Sequence, residues 1–401
     1  MARLHFMLLL LFSVTSTNGF AQEQARPVLL PGARSVIDAR YYESIQAAID
    51  ACPPEGGMVQ LPPGLFEITE PLRISKSDVT LAGVGAATHI KNMNTEGQSA
   101  LILQHPTKKE NRQSELWRIR LANLRLTGNA KSGHGIEARR INEIFIDGVT
   151  VSEHGGDGIH LYYCYEDPRI CDSLITYNRK TGLFLKGCHD IVVSANQFEE
   201  NTDGLRCLDG FNLCMTGNNL DDHLGDGVVI ENTYGSVVAG NMIEECKGTA
   251  IVLDRDCYGI ALSANVIAHE ESGGIDLRGA HGCTISANVF TIVKQRALVI
   301  GPNSGRITVT GNNFSNSFIG QDKVKRGATD LAAAGILLEG TQDITVTGNL
   351  FSGLSTEAVE IGGNKSKRIL ISDNVIADQE HDTLKLKNSL DDSLIENNLV
   401  P

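Results

Sequence analysis

An asparagine returns along this chain at nearly constant intervals, each time closing a short apolar strand. It is seen in VVSANQF (Asn196), CMTGNNL (Asn218), VVAGNMI (Asn241), ALSANVI (Asn265), TISANVF (Asn288), TVTGNNF (Asn312), TVTGNLF (Asn349), ISDNVIA (Asn374) and IENNLV (Asn397). The successive gaps are 22, 23, 24, 23, 24, 37, 25 and 23 residues. A period of this size with one polar side chain held in place implies equivalent residues stacked in register, one coil above the next. A second strand recurs in step, of the form Gly/Ala-apolar-x-apolar: Gly158-Ile159-His160-Leu161, Gly182-Leu183-Phe184-Leu185, Gly204-Leu205-Arg206-Cys207, Gly227-Val228-Val229-Ile230, Ala250-Ile251-Val252-Leu253 and Gly274-Ile275-Asp276-Leu277. Its alternation has period two, apolar side inward. Apolar residues do not recur at three and four within a unit, so helical repeats are excluded.

These features predict an all-β chain, a single-stranded right-handed parallel β-helix of about 23-residue coils. A leucine-rich solenoid also stacks asparagines, but it needs a fixed leucine pattern and a helical segment in each repeat. Because a solenoid grows in one direction around a continuous core, residues 34–401 are expected to form one domain despite their length. The gap of 37 between Asn312 and Asn349 holds an insertion at about 315–333, read as a solvated loop. Exposed coil ends invite edge pairing. The N-terminal cap, about 36–60, contains a short amphipathic helix within Tyr42–Ala51, with Ser44 as N-cap and Ile45, Ala48 and Ile49 on one face. The other end is open to self-association through the coil-end surface.

Arg3 precedes an apolar run, Phe6 to Phe12, followed by small and polar residues up to Ala21. This pattern predicts a signal peptide over 1–21, cleaved after Ala21, a lead-in over 22–33, and a secreted or periplasmic product. The run is too short to span a membrane. Loss of Arg3 with the signal leaves 34 basic against 48 acidic residues, a net charge of −14 against −13 for the whole chain. Nucleic acid is therefore not an expected partner. Of nine cysteines, only Cys164 and Cys171 are placed to pair across a short loop. The others are read as small buried residues stacked between coils.

Residues 36–85, VIDARYYESIQAAIDACPPEGGMVQLPPGLFEITEPLRISKSDVTLAGVG, resemble the N-terminal entry of the pectate-lyase superfamily. There too an SIQ-A-ID helix precedes a GG-x-V-x-LPPG-x-F strand and turn, and the coils from Gly133 onward resemble its repeats. The resemblance covers nearly all of the chain beyond the signal and implies a polysaccharide partner. It is specific for fold and not for reaction, since lyases, hydrolases, epimerases and non-catalytic proteins share the scaffold.

In that superfamily the glycan groove runs along the sheet made by the Gly-apolar-x-apolar strands, so the candidate site is read column by column. The position before each strand gives His134, Asp157, Thr181, Asp203, Asp226, Thr249, Gly273 and Arg296. The outward mid-strand position gives Glu137, His160, Phe184, Arg206, Val229, Val252, Asp276 and Val299. The position past the strand gives Arg139, Tyr162, Lys186, Leu208, Glu231, Asp254, Arg278 and Gly301. Ionisable groups crowd the coils from His134 to Arg278, whereas later coils carry Val299, Leu337 and Gly301.

Asn201-Thr202-Asp203-Gly204 is similar to the NTDG motif of polygalacturonase-type inverting hydrolases, which implies acid and base roles for Asp203 and Asp226, with Asp157 two coils before Asp203. Several features of that family are missing: position 227 is Gly where it has a second Asp, no GHG follows one coil later, and there is no RIK. The Asp-Pro-His motif of β-helix mannuronan epimerases is also absent, since Asp167-Pro168 is followed by Arg169. Asp before Gly is in addition a common structural choice.

A lyase needs a base, a cation to neutralise the uronate carboxylate, and an acid for the leaving oxygen. Lys186 and Arg206 are candidates for base or neutraliser, and His160 or Tyr162 for the other proton carrier. His134, Phe184, Glu231, Asp254, Asp276 and Arg278 are expected to line the substrate. No cofactor is expected, with calcium on Asp226, Glu231 and Asp254 as the one alternative. The leading expectation is a polysaccharide lyase or glycoside hydrolase. The competing one is a non-catalytic glycan-binding or structural solenoid, which would call for more aromatic platforms than Phe184 and Tyr162.

Overall fold

Each coil spends its residues on three short strands separated by tight corners. In one, Leu183–Lys186 is followed by Val192–Ser194 and then Gln197–Glu199, and in each strand the buried residues point inward. The computed structural model describes residues 30–107, 114–316, 332–377, 384–387 and 390–400. The expected signal peptide, most of the lead-in and positions 317–331 of the expected insertion lie outside the described residues. The described residues from Arg34 onward form one compact unit.

Every strand pairs in parallel with its equivalent one coil away. The mid-strand residues Glu137, His160, Phe184, Arg206, Val229, Val252, Asp276 and Val299 are consecutive partners in one sheet, the groove sheet. A second sheet carries strands such as Cys214–Thr216 and Val237–Ala239. The third has 13 strands among the described residues. Groove and second sheets run on as one where the long strands Thr249–Tyr258 and Gly273–His281 pass through the corner. The sequence columns are thus the sheet registers.

Inward columns fill the interior with Ile, Val and Leu, and Phe290, Phe314 and Phe351 stack at 4.6 and 4.8 Å with nearly parallel rings. Adjacent parallel strands keep a spacing of ~4.8 Å, which is also a comfortable ring-stacking distance.

The asparagines turn the corner between second and third sheets. Asn241 Oδ1 accepts from both the backbone N (3.0 Å) and Nδ2 (2.9 Å) of Asn218, while Asn241 Nδ2 donates to Met215 O and to Asn265 Oδ1. The ladder runs from Asn196 to Asn374 and closes on Asn398, not Asn397. Asn397 instead has φ 55°, the left-handed conformation that Gly217, Gly240 and Ala264 adopt just before their asparagines. At 397–398 it is therefore the second asparagine that joins the ladder.

Ser44 Oγ accepts from Ala47 N at 3.0 Å to start the helix Ile45–Asp50, which buries Ile45, Ala48 and Ile49. Gln46 bonds both backbone groups of Arg73, in the strand Leu72–Ile74 at the start of the groove sheet. All nine cysteines are free. Cys164 and Cys171 do not pair, because Cys164 lies in the interior near the carbonyl of Ala138 whereas Cys171 faces outward beside Ser194 Oγ. Cys214 is exposed, so it does not belong to the buried set.

Candidate functional site

The corner leading into each groove strand explains the recurring aspartates. Asp157 Oδ1 accepts from Thr181 N (3.0 Å), Asp203 Oδ1 from Asp226 N (2.9 Å) and Asp226 Oδ1 from Thr249 N (2.8 Å), so each ties down the backbone of the next coil. One coil below, His134 occupies the same corner, its Nδ1 3.0 Å from Asp157 N. The second oxygen of Asp157 and of Asp203 faces the groove. The column is thus structural, and it also borders the candidate site.

Asp157 Oδ2 lies 2.9 Å from His160 Nδ1 and 3.2 Å from His134 Nδ1. Burial alone would raise the Asp157 carboxyl, but the two imidazoles hold it well below the usual carboxylate range. The His134 and His160 rings are 4.6 Å apart, and Phe184 stacks on His160 at 4.8 Å and 12°. His160 is thereby fixed from both sides. With Nδ1 on the carboxylate, its Nε2 is the nitrogen left for chemistry.

Two residues on, Tyr162 faces out from the same strand, its register neighbours being Arg139 and Lys186. The Arg139 guanidinium lies 4.7 Å from the Tyr162 ring centre and bonds Glu137 at 3.1 Å. Ser99 Oγ also donates to Glu137, and although burial opposes it, these bonds keep the Glu137 carboxyl low.

A second network lies beyond Phe184. Arg206 donates to Asp203 Oδ2 (3.0 Å) and to Glu231 Oε1 (2.9 Å), and Arg255 holds the other oxygen of Glu231. Lys186 is paired with Asp209, which also accepts from Asn232. Arg278 pairs with Asp276. Val229 and Val252, outward in register, are only 4% and 7% exposed. Asp226 forms no ion pair among the described residues.

The structure therefore gathers His134, Asp157, His160, Tyr162 and Phe184 into one cluster and Asp203, Arg206 and Glu231 into another, with Lys186 between. The ligand atoms of Asp226, Glu231 and Asp254 do not come within reach of one ion; those of His134, Asp157 and His160 do, lying within 4.8 Å of one another. Charge also extends beyond Arg278. Arg296 and Lys387 both pair with the buried Glu360, two rungs above Val299. Sequence reading missed this triad because Arg296 and Glu360 are 64 residues apart, although both stand in columns that the repeat defines.

A second missed column lies just past the groove strands, where Tyr165, His189, Phe211 and Tyr234 follow one another coil by coil with ring centres 4.7, 4.5 and 5.1 Å apart. Tyr258 continues it by a parallel bridge to Tyr234. The 22 to 24 residue spacing was the signal that could have found it, but it falls in corners rather than strands.

Residues 108–256 and 164–314 each match the model of the right handed beta helix region, together just over half of the chain. The chain belongs to the right-handed β-helix family. A search of curated protein sequences finds no match. Among solved structures, this β-helix protein is similar to the A-module of mannuronan C-5 epimerase AlgE6 from Azotobacter vinelandii, with 18% identity, TM-score 0.55, and 91% of this chain and 100% of that one covered. It is similar also to the family 28 exopolygalacturonase of Yersinia enterocolitica, with 14% identity, TM-score 0.51 and coverage of 91% and 78%. For the pre-mature gene product 12 of bacteriophage phi29 the identity is 12%, the TM-score 0.66 and the coverage 90% and 56%. At such identities the likeness is one of fold.

Proposed function

We propose that this β-helix protein processes a polysaccharide in its groove, by β-elimination on a uronate-containing chain. The observation that carries the reading is His160, oriented by Asp157 and stacked on Phe184, beside a Tyr162 flanked by Arg139 and Lys186. Nε2 of His160 takes the proton next to the uronate carboxylate. The electron pair forms the new C=C as the glycosidic C–O bond breaks, and the Tyr162 hydroxyl protonates the departing oxygen. Arg139 and Lys186 attract the carboxylate. Relative to the roles open in the sequence, His160 is favoured over Lys186 as base because Lys186 is tied to Asp209, and Arg206 is already shared by two carboxylates. The fold likeness to an epimerase and a polygalacturonase supports a glycan substrate.

Hydrolysis by Asp157 and Asp203 fits less well. An inverting pair needs one carboxyl kept protonated, whereas two imidazoles hold Asp157 ionised and Arg206 pairs with Asp203. We read export through the 1–21 signal as part of the same function, tested by N-terminal sequencing of protein recovered outside the cytoplasm.

The test is a screen of purified protein on pectate, alginate and glycosaminoglycans, reading both the ultraviolet absorbance of a conjugated C=C and new reducing ends. Absorbance that grows with time and falls by about 10²–10⁴-fold in His160→Ala is the expected result. Reducing ends without absorbance would replace elimination by hydrolysis, and silence in both channels would leave a binding or structural solenoid.

A further inference from the structure

From the aromatic column beside the groove we infer a second glycan-binding track, built for a neutral chain and independent of the chemistry proposed for the groove. The rings lie one per coil, and the later ones are open to solvent: Phe211 is 38%, Tyr234 39% and Tyr258 52% exposed. Rings at these exposures lie on the surface, outside the interior columns, with much of each face open to a ligand. A pyranose presents an apolar C–H face that packs on an aromatic ring and a rim of hydroxyls that needs polar partners. The track supplies both, because Asp190 and Asn212 follow His189 and Phe211 in sequence, are bonded to each other at 2.9 Å, and remain exposed. Rings repeating at 4.5 to 5.1 Å along the solenoid axis suit a chain of sugars lying parallel to it.

The column ends in a cavity of about 610 Å³ that shares Tyr165 and His189 with it and is also lined by Trp117, Arg140, Asn142 and Glu166. Asn142 is 2% exposed and its Oδ1 has no hydrogen-bond partner among the described residues. A buried amide oxygen without a donor is costly, and a ligand hydroxyl would supply the donor. The charge chooses between glycans. Glu115, Glu166 and Asp190 face one arginine in the lining, an acidic balance that repels uronates and accepts an uncharged chain. The groove and the track thus take different parts of a polysaccharide, or different polysaccharides.

The test is affinity gel electrophoresis of the full chain through gels containing mixed-linkage β-glucan, xyloglucan, laminarin or galactomannan, with alginate and polygalacturonate as acidic counterparts. At least one neutral glycan is expected to retard the protein, and to retard His160→Ala equally, which separates this site from the groove. Phe211→Ala and Tyr258→Ala are each expected to weaken that retardation about tenfold or more, with turnover of short acidic oligosaccharides unchanged. Tyr258, half exposed, serves if Phe211→Ala does not fold. Absence of retardation by every neutral glycan, or retardation indifferent to both substitutions, would overturn the proposal.

Discussion

Replacing Asp157 by asparagine or by alanine separates two roles held by one carboxylate. Asparagine keeps an oxygen for Thr181 N but removes the charge that orients His160, so turnover should fall by about 10²–10⁴-fold with the melting temperature nearly unchanged. Alanine should in addition leave the Thr181 N–H unsatisfied and lower stability by about 1–3 kcal/mol, read by thermal unfolding. Buried titratable groups elsewhere make stability depend on pH from both sides. Burial pushes Glu270 up from its ordinary 4.5 to about 9, helped by Glu244 and Glu245, against a smaller opposing pull from the Cys246 backbone. A raised carboxyl costs nothing below pH 4.5 and destabilises the fold increasingly as pH rises towards 9. At pH 7 the penalty is roughly 3 kcal/mol, so Glu270→Gln should gain about that much there and nothing at pH 4, by urea denaturation at the two values. Burial depresses His154 from 6.5 to about 3 and His223 to about 4. Both favour the fold above pH 6.5, and that stability drains away as pH falls towards those values. The candidate site residues were legible as columns because the repeat aligned them. Their partners were not, since Asp157 reaches His134 across a coil and Lys186 meets Asp209 from the next coil, pairings that depend on rotamers rather than period.

Among corner elements, the residue before each ladder asparagine carries φ near 55 to 66°. At Gly217, Gly240 and Gly311 an added Cβ would meet nothing within 4 Å, so glycine is preferred there for its backbone freedom and not for space. Ala195, Ala264 and Ala287 hold the same conformation at φ 54 to 56°, at a cost of about 1 kcal/mol each. Ala287→Gly should therefore recover part of that cost, and the Ala195→Gly, Ala287→Gly pair, four coils apart, about twice as much, seen as additive rises in unfolding midpoint. Strands and ladder were plain from the sequence because few folds besides a parallel β-solenoid place a period-two alternation inside a 23-residue period. The Cys164 and Cys171 pairing failed for a local reason. Sequence proximity across a loop does not tell which side of the wall each thiol faces, and here the two faces differ. The aromatic column escaped notice because corner residues obey no alternation, leaving only their recurrence to reveal them.

For the molecule as a whole, a solenoid's stability is a sum over neighbouring coils. Amide exchange should therefore be slowest in the middle coils, such as Cys214–Thr216, and fastest in Leu394–Glu396, which is exposed along its whole length. Mass-spectrometric exchange by segment checks this, and uniform protection across both would contradict a nearest-neighbour description. The same regularity governs the groove. From His160 to Glu360 the mid-strand column climbs eight registers, or ~38 Å at ~4.8 Å each. Backbone hydrogen bonds fix that increment, so the distance from the imidazole cluster to the Arg296, Glu360 and Lys387 triad cannot stretch to suit a ligand. The molecule is a graduated rule. A polymer laid along it is read against fixed marks, and inserting or deleting one whole coil between the two clusters would move the second mark by one graduation while leaving every corner intact.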